Sequence, residues 1–412
     1  MTDIDTPRSG GRQPSDPLPA APDPWAGSDM PSGRDGPPWH MTEMIEAEPA
    51  LAERLLALLA APNSPAASLA AAIRSTVARG GPILVTGCGT SEHGAQATAE
   101  ILREAMRAAG LPWRLGQGGV PVAAQAFEAS LEDELGGAGS LVIGVSHEGG
   151  TWATNRALER ARSSGAMVAL VTVSEGSPGA AAADVVVPTF EQDQSWCHTV
   201  GYLAPILAAA AVGAHLSGQA IDIEAAGRLL APGLEPSAVQ ATEALAASLS
   251  DVDRLIVTGT GADRLAAREL VLKVEEGAHL PAAMRDVETV LHGHLAGIDD
   301  RTGFVLVLTD LAQRAERTAR AAGVMRAVAE IRARAGAIVG TPHDEDLPEP
   351  LTPAGRVVVP VAEGLPSTVA ALLASVVPLQ LLTERLARAR GVNPDPIRRD
   401  DPAYLRAAEV AG

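Results

Sequence analysis

The chain holds a single lysine. Of its 32 basic side chains all but one are arginine, and the exception is Lys273, within ARELVLKVEEGAHL. A chain that uses Arg almost everywhere keeps Lys where a compact ammonium serves and a planar guanidinium fork does not; one Lys surviving on a helix face accounts for the count equally well. On a helix, Glu269, Lys273 and Glu276 fall at i, i+4 and i+7 and share one face. Such spacing is also common on solvated faces. The turn beyond this segment, TVLHGHLAGID, adds His292 and His294. A carboxylate, the lone ammonium and an imidazole suit proton transfer beside a carbonyl: a base, an electrophile and an acid that opens a ring.

Two loops supply a second kind of chemistry. One is Gly87-Cys88-Gly89-Thr90-Ser91; the other is Ser146-His147-Glu148-Gly149-Gly150-Thr151. Each follows an apolar run and opens a helical stretch. Small hydroxyl side chains and glycine-permitted backbone N–H groups at a helix start form an anion site suited to a phosphate monoester, with no Arg required. Ser and Thr are also ordinary helix N-caps, which is the competing reading of either loop. A dinucleotide fingerprint is excluded, because its sixth position, counted from Gly87, is the acidic Glu92. No Walker lysine is present, and the nine His and two Cys show no metal-ligand spacing, so neither metal nor cofactor is expected. His292 and His294, flanking one glycine, are weak evidence for a metal.

The elements that must position these groups alternate regularly. PILVTG (82–87), SLVIGVS (140–146), AMVALVTV (166–173) and DVVVPT (184–189) are short apolar runs separated by helical stretches. LIVTGTGA (255–262) echoes ILVTGCGT (83–90), and FVLVLT (304–309), GAIVG (336–340) and RVVVP (356–360) follow. Continuous apolar strands alternating with helices predict an α/β fold with doubly wound parallel sheets, built here as two similar units in tandem. In such sheets ligands sit beyond the carboxyl ends of the strands. The expected boundaries are a Pro/Gly-rich disordered tail over 1–38, a first unit with leading helices over 39–240, a second over 241–390, and an extended tail over 391–412. Pro49 is expected to start or kink the first helix.

Charge and composition narrow the partners. The formal charge is −18 over 412 residues, with no basic patch for nucleic acid or an anionic membrane surface. Five Trp, two Tyr and three Phe leave little for base stacking. Cys88 and Cys197 are too few for a disulfide-stapled secreted fold, which points to a reducing cytoplasm. No signal peptide and no run of about 18 apolar residues is apparent; Leu203–Gly213 reads as buried helix.

CGTS, S-x-x-G-x-T, AxExxxKxxE and HG-x-LAxID occur in the order found in tandem SIS (sugar isomerase) proteins. The chain resembles that family, and within it the isomerase half of glucosamine–fructose-6-phosphate aminotransferase, over roughly residues 40–400. The resemblance implies two flavodoxin-like three-layer SIS domains. It makes Glu276 the base that moves a proton between C1 and C2, Lys273 a substrate-contacting residue, and Glu269 the acid one turn earlier. It makes His292 the ring-opening imidazole, reaching in from a neighbouring subunit of a homodimer with composite sites. Ser91, Ser146 and Thr151 match phosphate-binding hydroxyls, with Gly89, Thr90, His147 and Gly149 completing the loops.

Departures from the family pattern are local. His147 stands where the family has Gln, and Glu148 where it has Ser; a carboxylate there would turn away from a phosphate or meet a different ligand. A Ser-Thr-Lys run is replaced by Ser195-Trp196-Cys197-His198, of which Ser195 and His198 are the candidate sugar contacts. The lysine that forms a Schiff base in the synthase is missing from Arg398-Arg399-Asp400-Asp401-Pro402, leaving Lys273 as the side chain able to form an imine. The second unit's Thr309-Asp310-Leu311 lacks the hydroxyl set, so one phosphate site per chain is expected. With no glutaminase half present, glutamine-driven amination is not expected. The implied function is a phosphosugar or amino-sugar phosphate isomerase working through ring opening and an enediol. An amino-sugar phosphate deaminase, a sugar–amine phosphate deglycase and a non-catalytic phosphosugar sensor are the alternatives.

Overall fold

A computed structural model describes residues 34–133, 135–360 and 364–411. Most of the expected 1–38 tail therefore lies outside the described residues. Its last part does not behave as a tail: Arg34 pairs with Glu43 at 2.8 Å, and its carbonyl accepts from Asn393 at 3.2 Å. Helix α1 (His40–Leu59) carries Pro49 in its interior, and α2 (Pro65–Ala78) follows.

The first unit contains β1 (Ile83–Gly87), α3 (Thr90–Ala108), β2 (Pro121–Gln125), α4 (Ala126–Leu131), β3 (Leu141–Val145), α5 (Trp152–Ser163), β4 (Met167–Thr172), α6 (Pro178–Ala182), β5 (Val185–Pro188) and α7 (Val200–Ser217). Helices α8 (Ile223–Leu230) and α9 (Pro236–Leu249) connect it to the second. That unit contains β6 (Arg254–Gly259), α10 (Asp263–Ala278), β7 (Ala282–Asp286), α11 (Val287–Leu291), β8 (Thr302–Leu308), α12 (Arg314–Glu330), β9 (Arg334–Gly340), α13 (Thr341–Asp344), β10 (Gly355–Val359) and α14 (Ser367–Ala389). The chain ends in α15 (Pro402–Ala411), so the C-terminal segment is not extended throughout.

Each unit is a five-stranded parallel sheet. The orders β2-β1-β3-β4-β5 and β7-β6-β8-β9-β10 are the same topology repeated. Central strands such as β3 and β8 are buried along their whole length, as expected for sheets covered on both faces. The two strands that the apolar pattern misses, β2 and β7, occupy equivalent edges. Their sequences, PVAAQ and AAMRD, are mostly half-buried and so carry no continuous apolar run.

One core runs through both units, from α1 through α3, α7 and α10 to α14. Helices α7 and α14 are long and apolar enough to cross a membrane, contrary to the sequence expectation, yet 83% and 89% of their apolar stretches are buried inside the protein. A helix apolar on all sides is what a core helix requires. The C-terminal segment closes the structure: the Asp395 carboxylate accepts from the backbone N–H groups of His40 at 2.9 Å and Met41 at 3.0 Å, placing an anion at the α1 N-terminus.

Candidate functional site

Helix α10 supplies the ionic cluster. Lys273 is completely buried and its ammonium is ion-paired with Glu276 and, at 3.7 Å, with Glu269. Glu269 is equally buried and reaches across to the first unit. Its carboxylate accepts from Thr90 Oγ1 at 3.2 Å and from His93 Nδ1 at 2.6 Å. Burial alone would raise the Glu269 pKa; the Lys273 ammonium, His93 and Thr90 outweigh it and hold the carboxyl below its usual range. An ionised Glu269 can only accept, so His93 carries its proton on Nδ1. For Lys273, burial opposes the charged form, but Glu276 and Glu269 overcome it and raise the pKa. Glu276 differs from both partners. Its side chain is 24% exposed, and burial raises its pKa against the pull of Lys273. The chain thus presents one half-open carboxylate with a weakened acidity, backed by a locked ammonium.

The hydroxyl loops lie at the carboxyl ends of β1 and β3, where helices α3 and α5 begin. Gly87 is required by close approach, since a Cβ there would fall 2.4 Å from the Ser91 carbonyl oxygen. Gly149 has φ +70°, and its Cβ would meet Ser177 Oγ at 2.1 Å. The two loops are tied together, His147 N–H donating to Ser91 Oγ at 3.3 Å, and Ser146 Oγ lies 3.5 Å from Thr151 Oγ1. The capping explanation does not hold for these helices. Helix α3 has Gly89 as its N-cap residue and α5 has Thr151, and neither makes a side-chain cap hydrogen bond. The small hydroxyls are therefore not consumed by the helix ends they flank.

The equivalent place in the second unit is filled from within. The Asp263 carboxylate accepts from Thr309 N–H at 2.7 Å, Asp310 N–H at 2.9 Å and the Thr309 hydroxyl. Asp310 in turn accepts from Ala262 N–H at 2.9 Å. The donors that a phosphate would use are occupied by the chain's own carboxylates.

His147 departs from its expected role. Its ring turns to the following loop, where Nε2 accepts from Asp193 N–H at 3.0 Å. The Asp193 carboxylate caps α7, accepting from the N–H groups of Thr199 at 3.0 Å, Val200 at 3.2 Å and Gly201 at 2.6 Å. His198 lies 5.0 Å from the His147 ring, and burial holds it neutral, with its pKa lowered to about 3 despite the nearby Asp193. Ser195 is buried and accepts from Cys197 N–H at 3.1 Å. His147, Ser195 and His198 thus stabilise one turn beside the cluster, and Cys197 Sγ lies 3.8 Å from the Lys273 carbonyl.

Within one chain His292 does not join the site. Its side chain is 70% exposed and pairs with Glu288 at 2.8 Å, while Glu288 also holds Arg320. Conversely, His93 and Asp193 belong to the site region and escape the sequence reading, as does the stacking of Arg399 on Trp196 in the adjoining loop, 3.6 Å from guanidinium carbon to ring centroid. His93 sits two residues beyond Ser91 and was legible as a helical neighbour of Thr90; Asp193 and Arg399 are placed only by the tertiary fold.

No protein-family model matches the chain. A glutamine–fructose-6-phosphate aminotransferase (isomerizing) of Symbiobacterium thermophilum is 28% identical over 330 residues, covering 76% of this chain and 50% of the relative. The chain thus spans about half the length of the curated relatives it matches. The C-terminal domain of glucosamine-fructose-6-phosphate aminotransferase from Francisella tularensis superposes with a TM-score of 0.71 at 18% identity, covering 88% of this chain and 99% of that one. Tagatose-6-phosphate ketose/aldose isomerase from Escherichia coli gives 0.67 at 16% identity, covering 90% and 98%. The chain is similar to the isomerase half of the aminotransferase, and its two tandem α/β units share the fold of SIS proteins.

Proposed function

We propose that the chain binds a phosphorylated sugar or amino sugar and shifts a proton between adjacent carbons of its open-chain form. The observation that carries this reading is Glu276, a half-open carboxylate of raised pKa held against a buried, charged Lys273 beside two hydroxyl loops with uncapped helix starts. The carboxylate takes the proton from the carbon next to the carbonyl, leaving an enediolate; a proton passes from the hydroxyl oxygen to the former carbonyl oxygen, and the carboxylic acid returns its proton to the former carbonyl carbon. Ser91, Ser146 and Thr151 hold the phosphate, and binding there positions the reacting carbons. Lys273 fixes Glu276 and offsets the negative charge that develops nearby. In this reading His292 serves the ring oxygen of a neighbouring copy of the chain; its exposure on its own copy leaves it accessible for that.

An imine route through Lys273 is disfavoured by its surroundings. The ammonium has no accessible surface, and two carboxylates keep it protonated, so it lacks the free electron pair an attack on a carbonyl needs. A sensor role is disfavoured by the same cluster, since ligand binding alone gives no reason to bury a lysine between two glutamates at this cost in desolvation. A thermal-shift screen against sugar 6-phosphates and amino-sugar phosphates tests the reading. At about 100 times its dissociation constant a ligand adds about 2.7 kcal/mol. Shifts given by phosphorylated and not by unphosphorylated sugars support it; no shift across the series overturns it.

A further inference from the structure

Residues 393–399 fold back onto the site, and their backbone is shaped for the purpose. Trp196 N–H donates to the Asp395 carbonyl at 2.9 Å, anchoring the segment to the loop that follows β5. Ile397 and Arg398 then adopt φ of +44° and +63°. Two consecutive non-glycine residues in the left-handed region, one of them β-branched, are uncommon and store strain. The outcome is that two adjacent arginines part company. Arg398 turns to Tyr404, bonding its hydroxyl and stacking over its ring at 4.9 Å. Arg399 lies flat on Trp196, its guanidinium carbon 3.6 Å from the ring centroid.

Arg399 is half-buried, yet among the described residues its guanidinium has no hydrogen-bond acceptor and no carboxylate within 4 Å. Its five donors are oriented by the stack and unspent. The groups whose charge it feels are Glu148 and Glu276: burial lowers its pKa and those two carboxylates oppose the change. Geometry brings the same segment to the base: a Cβ on Gly277, the residue after Glu276, would meet Cys197 Sγ at 3.1 Å and Pro394 Cβ at 3.3 Å, so the turn that carries Arg399 packs beside that part of α10. Lys273 is fully engaged by Glu269 and Glu276, which among the described residues leaves Arg399 as a cation with donors to offer a ligand. A planar fork stacked on an aromatic face matches a carboxylate in bidentate geometry.

We propose that Arg399 and Trp196 form an anion subsite at the reacting end of the sugar, so that the ligand carries a carboxylate in addition to its phosphate. This rests on the phosphosugar reading above. The carboxylate can belong to the sugar itself, as in a sugar acid phosphate, or to an amino acid joined to the sugar through nitrogen. In the second case Glu148, where the family pattern has Ser, is the carboxylate of the second hydroxyl loop that would pair with the amine.

Calorimetric titration of the full chain separates these. The probes are fructose 6-phosphate, 6-phosphogluconate and fructosyl-glycine 6-phosphate, each against wild type, Arg399→Gln, Arg399→Lys and Ser146→Ala. One carboxylated probe should bind at least about 10-fold more tightly than fructose 6-phosphate. Arg399→Gln should erase that advantage while leaving fructose 6-phosphate affinity within about 2-fold, and Arg399→Lys should retain only part of it. The preferred probe identifies where the carboxylate sits. If fructose 6-phosphate binds through Ser146 and neither carboxylated probe gains over it, or the gain survives Arg399→Gln, the subsite is refuted and the phosphosugar reading stands. If Arg399→Gln weakens all three equally, the arginine is a strap, and the subsite is again refuted. If no probe binds wild type, both readings fall together.

Discussion

The Lys273 ammonium lies 3.7 Å from the Glu269 carboxylate, and neither side chain touches solvent. Removing the lysine leaves two carboxylates facing each other across a buried gap. Breaking such a pair by deleting one partner costs about 3–5 kcal/mol. Lys273→Met should lower the unfolding free energy measured in urea by that amount, and adding Glu269→Gln should recover part of the loss. Equal stability of Lys273→Met and wild type would show that the cluster is hydrated rather than buried.

Turnover should depend on Glu276 far more than on any other carboxylate of α10. Glu276→Gln keeps the shape and removes the base, so the rate should fall at least 100-fold, about 2.7 kcal/mol of barrier. Fructose 6-phosphate, or whichever phosphosugar the screen identifies, should still bind with similar affinity, because its phosphate contacts the loops. A variant that turns over normally removes the base assignment.

The phosphate loops predict a different signature. Ser146→Ala deletes a hydroxyl that is buried but not committed to a helix cap. A hydrogen bond to a charged group contributes roughly 1.5–3 kcal/mol, so affinity should fall about 10- to 100-fold. Gly149→Ala should do more harm, since its Cβ would lie 2.1 Å from Ser177 Oγ. Titration with a phosphosugar and its unphosphorylated parent checks the point: the parent's affinity should be unmoved by Ser146→Ala.

How far this site was legible depended on sequence distance. Glu269, Lys273 and Glu276 share one helix face, and 3.6-residue periodicity alone places them together. The hydroxyl loops announce themselves because each follows an apolar strand and contains glycine. The strands β2 and β7 stayed hidden, because an edge strand in PVAAQ or AAMRD needs no continuous apolar run. His147 looked like a phosphate ligand but serves Asp193, a partner 46 positions away. Arg399 was invisible for a similar reason: the C-terminal segment returns over Trp196 and packs Pro394 against Gly277 of α10, a contact that no local pattern announces. Local pattern fixes which face a residue occupies; it does not say which distant segment that face meets.

His292 predicts a composite site. Its exposed ring pairs with Glu288 and makes no contact with the Lys273 cluster of its own chain among the described residues. Glu276→Gln and His292→Asn should each be inactive alone. Mixed, unfolded and refolded together, they should regain activity approaching one quarter of the wild-type level, since half of the dimers are then hybrids and each hybrid holds one intact site. No recovery in the mixture would place the ring-opening acid within a single chain, and His93 would be the imidazole to test.

The plugged loop of the second unit makes the last prediction, on pH. Burial raises the Asp263 carboxyl to about 6, against the hydrogen bonds from Thr309 and Asp310 that favour its charge. The native state therefore holds this proton more tightly than the unfolded chain, whose Asp titrates near its ordinary 3.8. The stabilisation is fully present below that lower value and is lost as pH rises through about 6. A shift of about two units corresponds to roughly 3 kcal/mol at most. Asp263→Asn cannot titrate, so wild type should lose stability relative to it between pH 4 and pH 7, as read by urea unfolding of both proteins at each pH. A difference that is constant over that range would mean that the three donors on Asp263 keep it ionised throughout, and that the second unit carries a permanent internal anion where the first leaves room for a phosphate.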